Sequence, residues 1–297
     1  MDVVYAVDIN IARIYTESNL MLDKKENSEV FYPAALTIGA SDSGGSSGIQ
    51  ADLRTFNAYG IFGCSAVTAV TAQNPFEISG TVNIPPQAVA LQIDTVLRET
   101  PVKFAKCGHL PDAEYVETVA NAVKKHQLHL VFDATSADFR QKELFSELKK
   151  HLLPAAKWVV CNILNAELLL GRKLASFDSL KGAALDIYEK SGCSVVLKGN
   201  GSTDAICCKG EVFSLKTPAV EHDTATETHG CGDTFSAAVT AGFAMGMDWK
   251  NILTDAAAFV LGSMRETAQI GPEAFVMYPP TEDCRREIKL AAEKKKK

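Results

Sequence analysis

The residues best suited to chemistry lie in one short segment near position 230. Gly230 and Gly232 flank Cys231, and a strong helix pattern follows directly. Glycines let backbone N–H groups converge, and a helix start adds positive potential, so the segment predicts an anion-binding pocket. Asp233 falls in the first turn of that helix, where its charge is stabilised. A helix cap after a tight turn is the alternative interpretation.

A second glycine-rich segment occupies residues 41–48 and reads Ser-Asp-Ser-Gly-Gly-Ser-Ser-Gly. It is not a Walker A loop, because no Gly-Lys-Ser or Gly-Lys-Thr follows, and it does not match Gly-x-Gly-x-x-Gly. Its small residues permit a ligand to approach the backbone closely, but Gly/Ser turns are also common as plain connectors. Alone, this segment predicts no particular ligand.

Both segments belong to a regular alternation of short apolar runs, which indicate strands, and amphipathic stretches, which indicate helices. The predicted strands are 34–38, 64–71, 102–106, 128–132, 158–161 and 194–197, with a hairpin at 203–208 and 211–215. The predicted helices are one from Ile49 that ends by Gly60, then 86–98, 112–125, 142–152, 178–190, 234–245 and 251–265.

This alternation predicts an α/β fold, with a mostly parallel central sheet and helices on both faces. The chain has no internal repeat and no long linker, so we expect one domain. In such sheets ligands bind outside the carboxyl ends of the strands, and chemistry is therefore expected in the loops that follow strands.

Composition and charge exclude several classes of protein. Of the 297 residues, 46% are hydrophobic and 22% are charged, which supplies a core and rules out disorder for most of the chain. The net charge of −6 argues against a nucleic acid partner. No apolar run reaches the roughly 18 residues of a membrane-spanning helix, so we expect no membrane partner.

The cysteines and the N-terminus favour a cytoplasmic location. The 8 cysteines include no C-x-x-C pair and no zinc-type spacing with histidine. Most lie in apolar stretches, so we expect free buried thiols in a reducing compartment. Residues 1–10 contain acids and no basic region, unlike a secretory signal.

Several short motifs occur together in a characteristic order. They are Ser41–Gly45, Gly48–Phe56, Thr68–Asn74, Lys106–Leu110, Cys161–Glu167, Val196–Gly199 and Thr228–Gly232. This series resembles the hydroxymethylpyrimidine/phosphomethylpyrimidine kinases of thiamine biosynthesis, which belong to the ribokinase-like superfamily. The resemblance runs from about residue 34 to residue 270.

The resemblance implies a single ribokinase-like domain that transfers the γ-phosphate of ATP, with Mg²⁺, to the primary alcohol of a small heterocycle. Asp233 would accept the hydroxyl proton as general base. The N–H groups of Gly230, Cys231 and Gly232 would form an anion hole around the phosphoryl group. The same match assigns ATP contacts to Lys198, Asn162 and Thr228, acceptor contacts to Asp42, Ser47, Gln73 and His109, and a water-mediated metal contact to Asp133. For Lys198 the alternative is an exposed lysine that ends a strand, and for Asp133 it is a cap.

Several positions depart from the family pattern, and residues 133–138 stand where one of its motifs is missing. Asp233 stands where these kinases have cysteine. In this respect the chain resembles the sugar and nucleoside kinases of the same superfamily, which have aspartate there. A carboxyl group with a pKa of about 4 is ionised at neutral pH, whereas a thiol near 8.5 mostly is not, so Asp233 remains a competent base. His109 replaces a methionine, and Asn165 replaces an acid. We expect a more polar acceptor pocket than the family has.

These departures leave more than one acceptor open. Hydroxymethylpyrimidine or its monophosphate is the first choice, and pyridoxal or pyridoxamine is the second. A sugar or nucleoside is the third, suggested only by the Gly-Cys-Gly-Asp sequence. From another functional class, a catalytically weak ligand-binding sensor would explain the altered pocket, but such a sensor has no need of a base beside an anion hole.

We also expect three segments along the chain. Residues 1–33 form an N-terminal extension of unknown structure, 34–290 form the kinase domain, and 291–297 form a basic tail. Family members are often dimers, so a homodimer is a further expectation.

Overall fold

Strands and helices alternate from Ala34 onward, as the sequence predicts. The computed structural model describes residues 32–134, 141–199, 203–221 and 228–293. The predictions for residues 1–31 and for the lysines at 294–297 therefore lie outside the described residues. So does most of the segment after Asp133 that replaces a family motif.

The described strands and helices have the following bounds. The strands are β1 (Ala34–Asp42), β2 (Phe62–Gln73), β3 (Ile78–Asn83), β4 (Phe104–Cys107), β5 (His129–Asp133), β6 (Ala156–Asn162), β7 (Ser194–Lys198), β8 (Thr203–Cys208), β9 (Glu211–Lys216), β10 (Ala268–Gln269), β11 (Phe275–Val276) and β12 (Lys289–Ala292). The helices are α1 (Gly48–Ala58), α2 (Pro86–Glu99), α3 (Ala113–His126), α4 (Lys142–Glu147), α5 (Ile163–Leu170), α6 (Phe177–Ser191), α7 (Cys231–Ala244) and α8 (Trp249–Arg265).

Within the described residues, ten strands form one sheet in the order β12-β9-β8-β7-β6-β5-β4-β1-β2-β3. The six central strands, from β7 to β2, pair in parallel. Antiparallel strands extend both edges, with β3 beyond β2 and the β8–β9 hairpin and β12 beyond β7. The predicted mostly parallel sheet is confirmed.

Helices cover both faces of this sheet because the central strands are apolar on both sides. Along β7, Val195 and Leu197 pack into one core, whereas Val196 packs into the other, as the alternation of side chains in a strand requires. The helices α2, α3 and α6 contribute to the first core, and α1, α7 and α8 contribute to the second. The result is the predicted three-layer arrangement.

The C-terminal strands β10, β11 and β12 were not predicted, and three further differences from the predicted elements lie between residues 78 and 170. The strand β3 was not predicted, because all its residues are exposed and no apolar face marks it. The helix α5 was missed because it is short and follows β6 at once, with Asn162 as its cap. The predicted helix 142–152 is regular only to Glu147 and continues as a π-helical turn, Leu148–Leu152.

None of the helices in the described part of the chain has the length and apolar character that a bilayer crossing requires.

Candidate active site

Five of the predicted site residues end central strands at the same edge of the sheet. Parallel strands have their carboxyl ends together, so the last residues of neighbouring strands meet there. These residues are Asp42 of β1, Gln73 of β2, Asp133 of β5, Asn162 of β6 and Lys198 of β7. The predicted location of the chemistry is thereby explained by topology alone.

The two glycine-rich segments touch at this edge. Gly230, which precedes α7, has a φ of 86°, and a Cβ atom there would lie 2.0 Å from the Ser46 carbonyl oxygen. Gly48, the first residue of α1, has a φ of 58°, and its Cβ atom would lie 2.3 Å from the Ala40 carbonyl oxygen. Only glycine allows both the left-handed backbone and the close approach.

Asp233 lies in the first turn of α7 and faces a cavity between the two segments. Its Oδ2 atom accepts a hydrogen bond from the Gly48 N–H at 3.0 Å, and its Oδ1 atom accepts one from Lys106 Nζ at 2.6 Å. Burial alone would raise the pKa of Asp233, but the Lys106 ammonium, the Gly48 N–H and His229 together outweigh burial and hold this pKa below its ordinary value. The carboxyl group is therefore ionised at neutral pH, as a general base must be.

Lys106 and Asp52 form a buried ion pair beneath Asp233, and the sequence reasoning gave neither a role. Lys106 Nζ lies 2.8 and 2.9 Å from the two Asp52 oxygens, and both side chains are 1% exposed. Burial raises the pKa of Asp52 to about 7, against the opposing effect of Lys106. The sequence signal that could have revealed this pair is a charged residue in the buried strand β4 and another on the inner face of α1.

The cavity beside Asp233 has a volume of about 540 Å³ and contains the predicted acceptor residues. Gln73 is fixed at its wall, since its Nε2 atom donates to Ser47 Oγ at 3.2 Å and lies 3.0 Å from His229 Nε2. Its Oε1 atom accepts from Thr71 Oγ1. His109 is half-buried and also lines this cavity. The strand β3 adds Ile78 and Thr81.

Asp42 lies at the same cavity, but its carboxylate is bound to its own loop. Its Oδ1 atom accepts from the Gly44 N–H at 2.7 Å, and its Oδ2 atom accepts from the N–H and hydroxyl groups of Ser46 and Ser47. Its side chain organises the loop that presents Ser47 and Gly48 to the cavity.

A second cavity, of about 500 Å³, lies on the other side of the α7 N-terminus. Its polar wall includes two predicted ATP contacts, Asn162 and Lys198. Asn162 caps α5 by accepting from the Asn165 N–H at 2.9 Å. Lys198 is paired with Asp204, and its ammonium lies 4.5 Å from the centre of the Phe235 ring. The apolar wall consists of Val160, Val220, Ala257, Val260, Leu261 and Met264.

Cys231 and Gly232 line both cavities, so the turn at the start of α7 is their common wall. The first N–H groups of a helix have no intrahelical acceptor, and here they are placed between the two cavities. Burial raises the pKa of the Cys231 thiol, which keeps it protonated. Cys231 therefore contributes backbone to the turn rather than a reactive thiolate.

Two predicted site residues have different surroundings from those expected. Thr228 lines the first cavity and not the second, so its position favours the acceptor rather than ATP. Asp133 is 0% exposed, lines neither cavity and accepts a hydrogen bond from Ser236 Oγ at 2.9 Å. It lies beneath the site, where burial prevents the expected contact with a metal-bound water.

Comparison with known proteins agrees with this geometry. A family model described as phosphomethylpyrimidine kinase matches residues 42–277. A hydroxymethylpyrimidine/phosphomethylpyrimidine kinase of Haemophilus influenzae is 34% identical over 251 residues, 80% of this chain and 92% of the relative. The pyridoxal kinase of Staphylococcus aureus in complex with AMP-PCP and pyridoxal superposes with a TM-score of 0.78 at 25% identity, over 88% of this chain and 100% of the other. The phosphomethylpyrimidine kinase of Clostridium difficile superposes with a TM-score of 0.67 at 28% identity, over 76% of this chain and 98% of the other.

The matched region begins at Asp42, in the first glycine-rich segment, and extends past the helix that carries Asp233. It therefore includes the turn, all the lining residues of the second cavity and all those of the first cavity except Gly39 and Ala40. On this evidence the chain belongs to the phosphomethylpyrimidine kinase family.

Proposed function

We propose that this protein is an ATP-dependent kinase that phosphorylates the hydroxymethyl group of a small heterocycle, with hydroxymethylpyrimidine or its monophosphate as the first choice. The observation that carries the proposal is the shared wall of the two cavities. One helix N-terminus separates them, and Asp233 faces only the first. A phosphoryl group that passes from one cavity to the other must cross the N–H groups of this turn.

The residues at this wall have separate roles in phosphoryl transfer. As the bond between the acceptor oxygen and the γ-phosphorus forms, the bond from that phosphorus to the bridging oxygen breaks and ADP leaves. Asp233 takes the hydroxyl proton, and the N–H groups of residues 230–232 stabilise the charge on the migrating group. Gly48 and Lys106 hold the two Asp233 oxygens in place.

The second cavity fits a nucleotide. Its apolar wall, made largely by α8, suits a flat base. Lys198 lines the same cavity and is close enough to Cys231, in the turn, to act on its thiol. Lys198 would neutralise phosphate as a compact charge once ATP competes with Asp204 for it. Mg²⁺, a hard cation that prefers oxygen ligands, would be held by the phosphates and water and would neutralise their charge.

The first cavity suits a heterocycle that carries several polar groups. Gln73 offers amide hydrogen-bonding groups, and His109 and Thr71 add polar contacts. Pyridoxal is the second candidate acceptor, because the Staphylococcus aureus neighbour is a pyridoxal kinase in complex with that compound. His109, which stands where the family motif has methionine, is the feature of this chain that favours pyridoxal.

Measurement of ADP production tests the function directly. The full chain is incubated with ATP and Mg²⁺ and with hydroxymethylpyrimidine, its monophosphate, pyridoxal, ribose or a nucleoside. We expect the highest kcat/KM for a hydroxymethyl heterocycle. Binding of these compounds with no ADP from any acceptor would contradict the kinase proposal and favour the ligand sensor.

We propose that the protein is a homodimer that pairs through the β3 edge. Among the described residues β3 pairs only with β2, on one of its two sides, and an edge strand is a template for another strand. Apolar side chains are exposed around it, with Phe76 and Ile78 61% and Val82 68% exposed. Sedimentation equilibrium of the wild type against Val82→Lys tests this, because a charge there should dissociate the dimer. A wild-type monomer would contradict it.

Two further proposals concern the chain as a whole. We propose that the kinase domain begins at residue 34, after the extension at 1–33, and continues past the expected boundary at residue 290 to Ala292, because β12 pairs with β9 over Lys289–Ala292. The basic tail is then the four lysines at 294–297. We propose a cytoplasmic location, since all eight cysteines are free and most are buried.

A further inference from the structure

We propose that His229 is a positioning residue that decides which end of the Gln73 amide meets the acceptor. As a neutral imidazole it occupies the Gln73 NH₂ group and leaves the amide oxygen for the ligand. The inference rests on the proposed kinase function and deepens it by naming a residue that sets acceptor specificity. A directed chain of hydrogen bonds carries it, from Asp42 through Ser47 and Gln73 to His229.

The chain begins at a carboxylate oxygen whose role is fixed by backbone donors. Asp42 Oδ2 accepts from the N–H groups of Ser46 at 3.1 Å and Ser47 at 2.9 Å. The Ser47 hydroxyl lies 2.9 Å from the same oxygen and therefore donates its single hydrogen to it. Toward any other neighbour, Ser47 Oγ can then only accept.

The Ser47 hydroxyl in turn fixes the orientation of the Gln73 amide. Because Ser47 Oγ accepts, the amide atom 3.2 Å from it must be the donor, Nε2. The oxygen atom Oε1 then lies 3.1 Å from Thr71 Oγ1, which donates to it. Oxygen and nitrogen of a side-chain amide are distinguished by their partners, and here the partners agree on one assignment.

His229 receives the second hydrogen of the Gln73 NH₂ group. Gln73 Nε2 and His229 Nε2 lie 3.0 Å apart, and an amide nitrogen has no lone pair to offer. His229 Nε2 must therefore accept, which places the ring proton on Nδ1 and leaves the imidazole neutral. Among the described contacts, the group that the Gln73 side chain still offers to the cavity is the second lone pair of Oε1.

An acceptor molecule must then supply a donor to this oxygen. Thr71 fills at most one lone pair of Oε1, since its hydroxyl also lies 3.1 Å from the Ser41 carbonyl oxygen. An exocyclic amino group, as in hydroxymethylpyrimidine, or a phenolic hydroxyl, as in pyridoxal, fits this requirement. A heterocycle that presents only a lone pair there would leave two acceptors facing each other, which costs free energy.

Protonation of His229 would disturb this arrangement. Its Nε2–H group would face the Gln73 NH₂ group, and the contact would survive only if the amide turned over. The amide oxygen would then face Ser47 Oγ, whose hydrogen is bound to Asp42. A hydrogen bond is lost in either case, and the group offered to the acceptor changes if the amide turns.

Other titratable groups lie around His229. Asp233, from the first turn of α7, is close enough for the two side chains to interact through their charges. Among the described residues, the remaining titratable side chains of this cavity are Asp42 at the end of β1, Asp52 in α1, Lys106 in β4, His109 after β4 and Cys231 in α7. Histidine ordinarily changes charge between about pH 5 and 8, so acceptor selection should depend on pH in that range.

Titration calorimetry of the full chain with two matched ligands tests the selection. The ligands are hydroxymethylpyrimidine and the same compound without its amino group. We expect wild type to bind the amino compound at least about tenfold more tightly at pH 8. In His229→Leu the amide is free to turn, and this preference should fall to about threefold or less. Equal binding of the two ligands by wild type, or an unchanged preference in His229→Leu, would overturn the inference.

The His229→Gln variant distinguishes positioning from a merely structural role. Its side-chain oxygen can accept from Gln73 at the place of Nε2 and does not titrate. We expect it to retain the ligand preference within about threefold at pH 8. Between pH 8 and pH 5.5 wild type should lose at least about threefold of its preference, whereas His229→Gln should lose none. A pH effect that persists in His229→Gln, or a preference that this variant does not retain, would contradict the assignment.

The matched control is His151→Gln. His151 is paired with Glu147 and lines neither cavity, so its replacement removes an imidazole without touching the chain of hydrogen bonds. This variant should show the wild-type preference and the wild-type pH effect. If His229→Leu does not fold, wild type and His229→Gln still decide the matter across the pH range.

The binding measurements contain no ATP, so they separate this inference from the kinase function. Selective binding with no ADP production from any acceptor would contradict the kinase function and leave the role of His229 intact. ADP production together with equal binding of the two ligands would contradict the role of His229 alone. Binding of neither ligand, with no ADP production, would overturn both.

Discussion

Lys106 Nζ lies 2.6 Å from Asp233 Oδ1, in an ion pair that joins the third parallel strand from the β3 edge to the turn at the start of α7. The Lys106 side chain is buried, whereas Asp233 is 15% exposed and faces the acceptor cavity. The buried Lys106 ammonium thus fixes the position of the partly exposed Asp233 carboxylate. Because Asp52 fixes Lys106 from the other side, Asp233 is positioned by the core of the domain rather than by a mobile surface loop.

Replacing Lys106 should move the pH dependence of the reaction. The base works only when ionised, so activity falls as pH drops through the pKa of Asp233, which Lys106 keeps below the ordinary value. In Lys106→Gln burial raises this pKa instead, so we expect the acidic limb of the kcat/KM profile to move to higher pH by about one unit. Initial rates measured across the pH range at saturating ATP provide the profile.

The matched control for this shift is Asp52→Asn, which removes the other carboxylate on the same ammonium. The two carboxylates repel each other, and Asp233 raises the pKa of Asp52 in this way. Loss of Asp52 should therefore leave the acidic limb in place or move it to lower pH. Thermal unfolding of both variants checks that they fold. Equal upward shifts in the two variants would indicate general damage to the core and not a specific effect of Lys106.

Removing the Asp233 carboxylate should abolish base catalysis and spare the nucleotide. Asp233 lines the acceptor cavity and not the second cavity, so Asp233→Asn should lower kcat with the alcohol by several hundred-fold. Stopped-flow rates and titration calorimetry with a nonhydrolysable ATP analogue separate the two effects. Near wild-type turnover would remove Asp233 from its role, and a lost ATP affinity would show that the cavities are not independent.

Gln73 should contribute to acceptor binding alone. Its amide contacts Ser47 and His229 at the wall of the first cavity, away from the second. We expect Gln73→Ala to raise the acceptor KM about tenfold and to leave the KM of ATP unchanged, as loss of one or two hydrogen bonds would do. The control is Gln92→Ala, since Gln92 bonds both backbone groups of Val67 outside the cavity. An unchanged acceptor KM in Gln73→Ala would contradict the assignment.

The sheet and most of its helices could be predicted from the sequence because the central strands are buried on both faces. Continuous apolar runs such as 158–161 then indicate buried strands, and the loops after these strands lie at one edge of the sheet. The strand β3 could not be predicted, since its residues are exposed and it forms by pairing with β2. Its contribution of Ile78 to the acceptor cavity was missed with it.

The turn at Gly230 could be predicted because its features are local in sequence: a glycine is followed directly by the start of a helix. The Lys106–Asp52 pair could not, because the two residues are 54 positions apart and meet only through tertiary packing. Asp133 illustrates the opposite error. It ends a strand at the correct edge, but its side chain is enclosed beneath α7, and strand position alone does not reveal that enclosure.

The left-handed turn at Gly230 should be needed for both stability and catalysis. In Gly230→Ala the new Cβ atom would lie 2.0 Å from the Ser46 carbonyl oxygen, so the two glycine-rich loops must separate. We expect kcat to fall about 100-fold or more as the N–H groups lose their alignment, with a lower melting temperature. Gly246→Ala is the matched control, because Gly246 has a similar φ of 74° and nothing within 4 Å of its Cβ position. That variant should lose about 1 kcal/mol of stability from backbone strain and keep its kcat. If both variants lost stability alike and kept their turnover, the contact between the loops would have no part in aligning the anion hole.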